Sequence, residues 1–171
     1  MIGLTAKRAF PLVATLAIGL ALSACARNTA ETDGLNGGAG AGYGAGSGPG
    51  SIHEFSSSVG DRVFFDTDVT ELSPAAQATL DKQAAWLNQY SRYSFTIEGH
   101  ADERGTREFN FALGSRRAES TKAYLIAKGV APSRIRTISF GKERPVAVCN
   151  DISCWSQNRR AVTVLAGAAG S

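Results

Sequence analysis

Apolar and polar positions repeat with two different periods beyond about residue 52, and the changes of period mark out the elements. Gly60-Asp61-Arg62-Val63-Phe64-Phe65 reads as a first strand, stopped by the turn-forming acidic run Asp66-Thr67-Asp68. Leu80, Ala84 and Leu87 then share one helical stripe, with Trp86 and Tyr90 beside it. Ser73 is suited to cap that helix and Pro74 to open it, so it should run to about Tyr90. Tyr93-Ser94-Phe95-Thr96-Ile97-Glu98 alternates and predicts a second strand. A second helix is expected from Thr106, its N-cap, to Lys128, with Gly129 as the C′ residue and Pro132 just beyond. Ile135 to Phe140 alternates again as a third strand, and Gly141 to Pro145 breaks it. A loop with Cys149 and Cys154 leads through a short helical turn to a fourth strand, Ala161 to Leu165. The order β-α-β-α-β-β predicts an α+β domain, with two main helices packed on one face of a small mixed four-stranded sheet. Strands joined through helices are expected to be parallel neighbours with right-handed crossovers.

Residues 1–24 follow a different logic. Lys7 and Arg8 precede an apolar run from Ala9 to Leu22, and Ser23-Ala24-Cys25 closes it. A basic start, an apolar stretch and small residues before a cut make a secretory signal. The run falls short of the about 20 residues a permanent spanning helix needs. Leu22-Ser23-Ala24-Cys25 resembles the bacterial lipobox, which implies cleavage before Cys25 and acyl chains on that residue. Each buried CH₂ is worth about 0.8 kcal/mol, so several chains would anchor the protein firmly. In lipoproteins of this type, the absence of Asp after the Cys (here Ala26) implies sorting to the outer membrane, with the domain facing the periplasm.

Residues 25–51 are expected to form a lipidated start and a flexible Gly/Ala-rich linker, and residues 52–171 the folded domain. Such a linker cannot bury enough apolar surface to order itself, and should span about 25 Å on average. It lacks the Lys-Ser/Thr close of a phosphate-cradling loop. The whole 171-residue chain carries a net charge of +3, and removing Lys7 and Arg8 leaves +1. Mixed signs near neutrality give no footprint for nucleic acid. With Cys25 assigned to lipid, Cys149 and Cys154 remain in an exported protein, where disulfides persist. Their bridge should contribute roughly 2 kcal/mol. A zinc site would need two further ligands, and His53 and His100 are the only histidines.

Candidate chemistry concentrates in Glu98-Gly99-His100-Ala101-Asp102-Glu103-Arg104-Gly105-Thr106, where a strand runs in and a helix runs out. One reading is a periplasmic hydrolase or metal protein using His100, Asp102 and Asp66. Residues two apart on a strand share a face, so His100 and Asp102 could converge. No nucleophile-elbow or zinc-helix motif accompanies them. A third reading is a scaffold that meets protein partners alone. The binding reading is stronger: Asp102 lies in a loop, ahead of a helix whose free N–H groups favour an anion. On that helix Asn110, Leu113, Arg117, Thr121 and Tyr124 fall on one stripe. An Asp and an Arg together make a two-ended clamp, carboxylate for an ammonium and guanidinium for a carboxylate. Periodicity does not choose between Arg116 and Arg117, and an internal ion pair would satisfy the same residues.

The stretch from Ile97 to Ala118 closely resembles the OmpA-like peptidoglycan-binding domain family, in its peptidoglycan-associated lipoprotein branch. Val63-Phe64-Phe65-Asp66, Gly129-Val130, Ser139 to Pro145 and Asn158-Arg159-Arg160-Ala161-Val162 extend the resemblance. The resemblance implies a non-enzymatic protein, without cofactor or metal, that binds the diaminopimelate side chain of the peptidoglycan stem peptide. The family's aspartate falls on Asp102, which would take the ammonium, and its arginine on Arg117, which would take the carboxylate. Asp66, Arg104, Asn110 and Leu113 match further positions near the ligand. The family also implies TolB as a partner, a place in the Tol–Pal system, and a role in outer-membrane invagination at division. Two features depart from the family pattern: the Cys149/Cys154 loop and the glycine content of the linker.

Overall fold

A computed structural model describes residues 48–166 of the chain, so the signal, Cys25 and most of the linker lie outside the described residues. The elements are α1 (Ile52–Glu54), which runs into a π-helical stretch (Phe55–Gly60), then β1 (Arg62–Phe64), α2 (Pro74–Gln89), β2 (Phe95–His100), α3 (Arg107–Ala127), a 3₁₀ turn (Pro132–Arg134), β3 (Ile135–Gly141), α4 (Ile152–Asn158) and β4 (Arg160–Leu165). The predicted order of long helices and strands holds. The helical start over 52–60 was not foreseen. It has no helical stripe of its own, and only Phe55 of its π stretch is buried.

Both predicted caps form. Ser73 accepts from the Ala76 N–H at the start of α2, and Thr106 accepts from the Phe109 N–H at the start of α3. Each satisfies a donor that the first helical turn leaves open. Gly129, past the end of α3, takes φ 92°, the left-handed conformation that ends a helix without a Cβ clash.

The sheet is mixed, in the order β1-β4-β2-β3. β2 and β3 are parallel neighbours joined through α3, as expected. β1 and β2 are joined through α2 but are not neighbours. β4 lies between them, antiparallel to both. The last strand therefore closes the domain by pairing on both its edges, with Val162 opposite Arg62 on one side and Glu98 on the other. Pairing on both edges satisfies backbone groups that an edge strand would leave open.

Val63, Phe95, Ile97, Ile135, Ala161 and Leu165 turn inward from the sheet and pack with Leu80, Ala84, Leu87, Ala118 and Leu125 of the helices. One contact fixes the height of α3 over the sheet. A Cβ on Gly114 would fall 2.5 Å from the Ser139 Oγ and 2.8 Å from the Gly99 carbonyl oxygen. Helix and strand backbones thus touch at Gly99 and Gly114, which seats the first half of α3 against the end of β2.

Gly50 and Ser51, at the boundary assigned to the linker, are held by the domain. The Gly50 carbonyl accepts from the Tyr93 hydroxyl at 2.7 Å and from Arg92 Nη2 at 2.6 Å. Ser51 caps α1 by accepting from the Glu54 N–H.

Candidate functional site

The C-terminal ends of β1 and β2 open into two loops, and the basic residues near them come from three separate elements. Arg117 comes from α3, Arg104 from the β2–α3 loop, and Arg159 from the junction of α4 and β4. The close seat of α3 brings Arg117 against both loops. Its guanidinium is completely buried. Nη1 donates to the His100 carbonyl at 2.9 Å, Nη2 to the Asp66 carbonyl at 2.9 Å and Nε to the Val69 carbonyl at 3.0 Å. The Phe65 ring lies 5.2 Å from the cation. Between the two loop carbonyls, Asp68 adopts φ 56°, a conformation more common for Asp than for most side chains.

An arginine has five N–H groups. Three are used here, which leaves one on each Nη. Burial, and then the repulsion of Arg159, bring the Arg117 pKa down to about 10, so it remains a cation at neutral pH. Because the residue is wholly buried, a ligand reaches those two N–H groups only when a loop or side chain shifts.

Asp102 is also buried, but its carboxylate is engaged. Arg104 gives it Nη2 at 2.7 Å, Nε at 3.2 Å and its backbone N–H at 3.2 Å. Arg159 Nη1 approaches from the other side at 3.3 Å. Burial alone would raise the Asp102 carboxyl, but the hydrogen bonds from Arg104 and Arg159 outweigh it and hold it below its usual range. In this form the clamp predicted between Asp102 and Arg117 is internally compensated on its acidic side.

The remaining predicted residues divide in role. The Asp66 carboxylate is exposed and makes no side-chain hydrogen bond among the described residues, so it stands free for a cation. Asn110 is buried and donates from Nδ2 to the Arg104 carbonyl at 2.6 Å, bracing the loop from beneath. Leu113 is buried on the same helix. Cys149 and Cys154 are bonded to one another, with Cα atoms 5.7 Å apart, just where α4 begins.

His100 and Asp102 make no hydrogen bond to each other. The imidazole stacks on Phe140 with centroids 5.6 Å apart, and Nε2 lies 3.6 Å from Glu98. Neither ring nitrogen has a hydrogen-bond partner among the described residues. Burial, then nearby arginines, lower the His100 pKa to about 3, so the ring is neutral. No group of three His, Cys, Asp or Glu side chains is arranged as metal ligands among the described residues.

Sequence reasoning gave no role to Arg159 or Trp155. Arg159 donates from Nε to the Phe65 carbonyl at 3.0 Å, while the Phe65 N–H donates to the Arg159 carbonyl at 2.9 Å. The Trp155 ring lies 4.2 Å from the Arg104 guanidinium carbon. Arg159 stood within the recognised Asn158-Arg159-Arg160 run, but no local periodicity links that run to a loop more than 90 residues earlier.

The chain matches the model of the OmpA family over residues 64–159. It is 60% identical over 163 residues to the peptidoglycan-associated lipoprotein of Rhizobium meliloti, covering 92% of this chain and 89% of that protein. The protein of the same name from Mesorhizobium japonicum is 56% identical, over 92% of this chain and 93% of its own length. Among solved structures, the peptidoglycan-associated lipoprotein of Burkholderia pseudomallei superposes with a TM-score of 0.62 at 38% identity, over 64% of this chain and 95% of that one. The C-terminal domain of Helicobacter pylori MotB shares the fold, with a TM-score of 0.59 at 19% identity, over 64% of this chain and 86% of its own.

Proposed function

The chain belongs to the OmpA family and, within it, to the peptidoglycan-associated lipoproteins, and from that premise we propose that it binds peptidoglycan without a covalent bond and ties the outer membrane to it. Acyl chains on Cys25 hold the membrane end, the Gly-rich linker supplies reach, and the folded domain takes the cell wall from the periplasmic side. The ligand is the zwitterionic end of a diaminopimelate side chain. Its carboxylate goes to Arg117, and its ammonium goes to Asp102 with Asp66 alongside. Arg104, Asn110 and Leu113 shape the pocket. The same reading includes TolB as a protein partner and a part in the Tol–Pal system as the outer membrane is drawn inward at division.

The observation that carries this reading is that Arg117, from α3, holds the loop that carries Asp66. Arg117 keeps one N–H on each Nη, and Asp66 presents an unbonded carboxylate within the same loop whose carbonyl Arg117 holds. A guanidinium with N–H groups to spare suits a carboxylate, and an acid on the loop it holds suits the ammonium on the same ligand carbon. The hydrolase reading gains nothing from the geometry, since His100 makes no hydrogen bond to Asp102 and faces Phe140 and Glu98 instead.

Purified sacculi test the proposal. The full chain should sediment with them, and free diaminopimelate should release it. Asp102→Ala should lower the retained fraction at least about tenfold, the scale of a lost buried charge pair at a binding site. Retention equal to that of the parent chain would overturn the site assignment. Release of soluble wall fragments during incubation would overturn the view that this is a binding protein and not an enzyme.

A further inference from the structure

Arg104 is the brace between the two ligand loops. It holds both oxygens of Asp102 in one loop and approaches the Thr67 hydroxyl of the other at 3.4 Å. Yet it is a long side chain with 41% of its surface in solvent. Such a side chain loses roughly 1.5–2 kcal/mol of rotamer freedom when fixed, so something must hold it.

Trp155 does so from a separate element. Its ring lies beneath the Arg104 guanidinium at 4.2 Å, within cation–π range. Its indole N–H donates to the Glu103 carboxylate, in the same loop as Arg104. The indole thus grips two consecutive residues of the loop that carries Asp102.

α4 is itself fastened on three sides. The disulfide ties Cys154 to Cys149, five residues earlier. Asp151 caps the helix by accepting from the Ser153 N–H at 2.8 Å. Asn158, at its last turn, accepts from the N–H groups of Val146 and Ala147 at 2.9 and 3.2 Å, and donates to the Ala147 carbonyl at 2.8 Å. The next residue, Arg159, supplies the second cation on Asp102. One short stapled helix therefore delivers both the ring that steadies Arg104 and the guanidinium beside Asp102.

We propose that Trp155 is a positioning residue of the peptidoglycan site, acting through Arg104, and that α4 is the third wall of that site. This rests on the binding function proposed above. Trp155 fixes the rotamer of Arg104, and Arg104 fixes the spacing of the Asp66 and Asp102 loops before a ligand arrives. The site is then paid for in folding rather than in binding.

The test uses the full chain in detergent, with sacculi and with free diaminopimelate as probes. Trp155→Ala should weaken both interactions about fivefold, the scale of a partly exposed cation–π contact. Trp155→Phe keeps a ring under the guanidinium and should recover most of that loss. A merely structural role for the indole predicts no such rescue in binding at equal melting temperature. The chain has two tryptophans, so Trp155→Phe also isolates the emission of Trp155 by difference. That emission should change on adding diaminopimelate, and the change should vanish in Asp102→Ala. If Asp102→Ala loses binding while Trp155→Ala keeps it, the inference about Trp155 falls and the binding function stands. If Trp155→Phe, folded and melting like the parent, binds as weakly as Trp155→Ala, the stacking role falls. If Asp102→Ala binds as well as the parent, the assigned site falls and this inference with it.

Discussion

The two ends of β2 are built from the same parts and behave differently. At the starting end, Arg92 and Tyr93 donate to the Gly50 carbonyl, and Arg134 donates from Nε to the Tyr93 carbonyl at 2.7 Å. Trp86 stacks on Tyr93, meets Phe55 and Tyr90 at a tilt, and donates to the Glu54 carboxylate at 2.9 Å. At the finishing end, Arg117 likewise donates to loop carbonyls over an aromatic ring. The contrast lies in what is left over. The Glu54 carboxylate at the first end is matched by the Gly50 N–H and the indole of Trp86. The second end keeps an unbonded Asp66 carboxylate and two guanidinium N–H groups of Arg117. A satisfied cluster closes the core, whereas a cluster with groups to spare can take a ligand once a loop or side chain shifts to admit it.

Three measurements can break or sharpen that contrast. The largest effect is expected from Arg117→Met, which strands three loop carbonyls at about 1–3 kcal/mol each. Urea unfolding should show a loss of about 3–9 kcal/mol, and any protein that remains folded should not bind sacculi. A variant as stable as the parent would mean that Arg117 serves only the ligand. Next, Trp86→Ala should cost about 3–4 kcal/mol in the same assay, as large aromatic truncations in a core do. Its folded fraction should bind sacculi normally, and weakened binding would show that the two ends are coupled. The smallest effect concerns His100. Its folded pKa lies near 3, below that of the unfolded chain, so the unfolded state takes up more protons as pH falls. Its contribution to stability is complete above about pH 6.5 and is lost progressively toward pH 3. Between pH 7 and 5.5 that amounts to about 1 kcal/mol. His100→Phe should remove this slope, as read from melts at the two pH values.

The local elements were legible because their signals are local. Ser73-Pro74 and Thr106 mark their helices within a few residues, and each cap forms as read. The proposed clamp could be outlined from sequence for a different reason: Asp102 and Arg117 stand on one loop and the helix that follows it. What escaped depends on contacts distant in sequence. Nothing near Ala161 announces that β4 inserts between β1 and β2, because strand order rests on pairings between residues far apart in the chain. Trp155 meets Glu103 across 52 residues, and Arg159 meets Asp102 across 57. Nor could periodicity tell that Asp102 is already held by two arginines. That follows from side-chain reach, which sequence spacing does not give.

The route of the chain through Gly50 has a mechanical consequence. Gly50 is held beside Tyr93, just before β2, and the proposed ligand loops leave from the strand's far end. Tension between a membrane anchor and a wall ligand would therefore enter near one end of β2 and leave near the other, about 20 Å away. β2 is hydrogen-bonded on both sides, to β3 and to β4. A pull along such a strand loads its flanking bonds together, in shear, where a pull across the sheet would open them one by one.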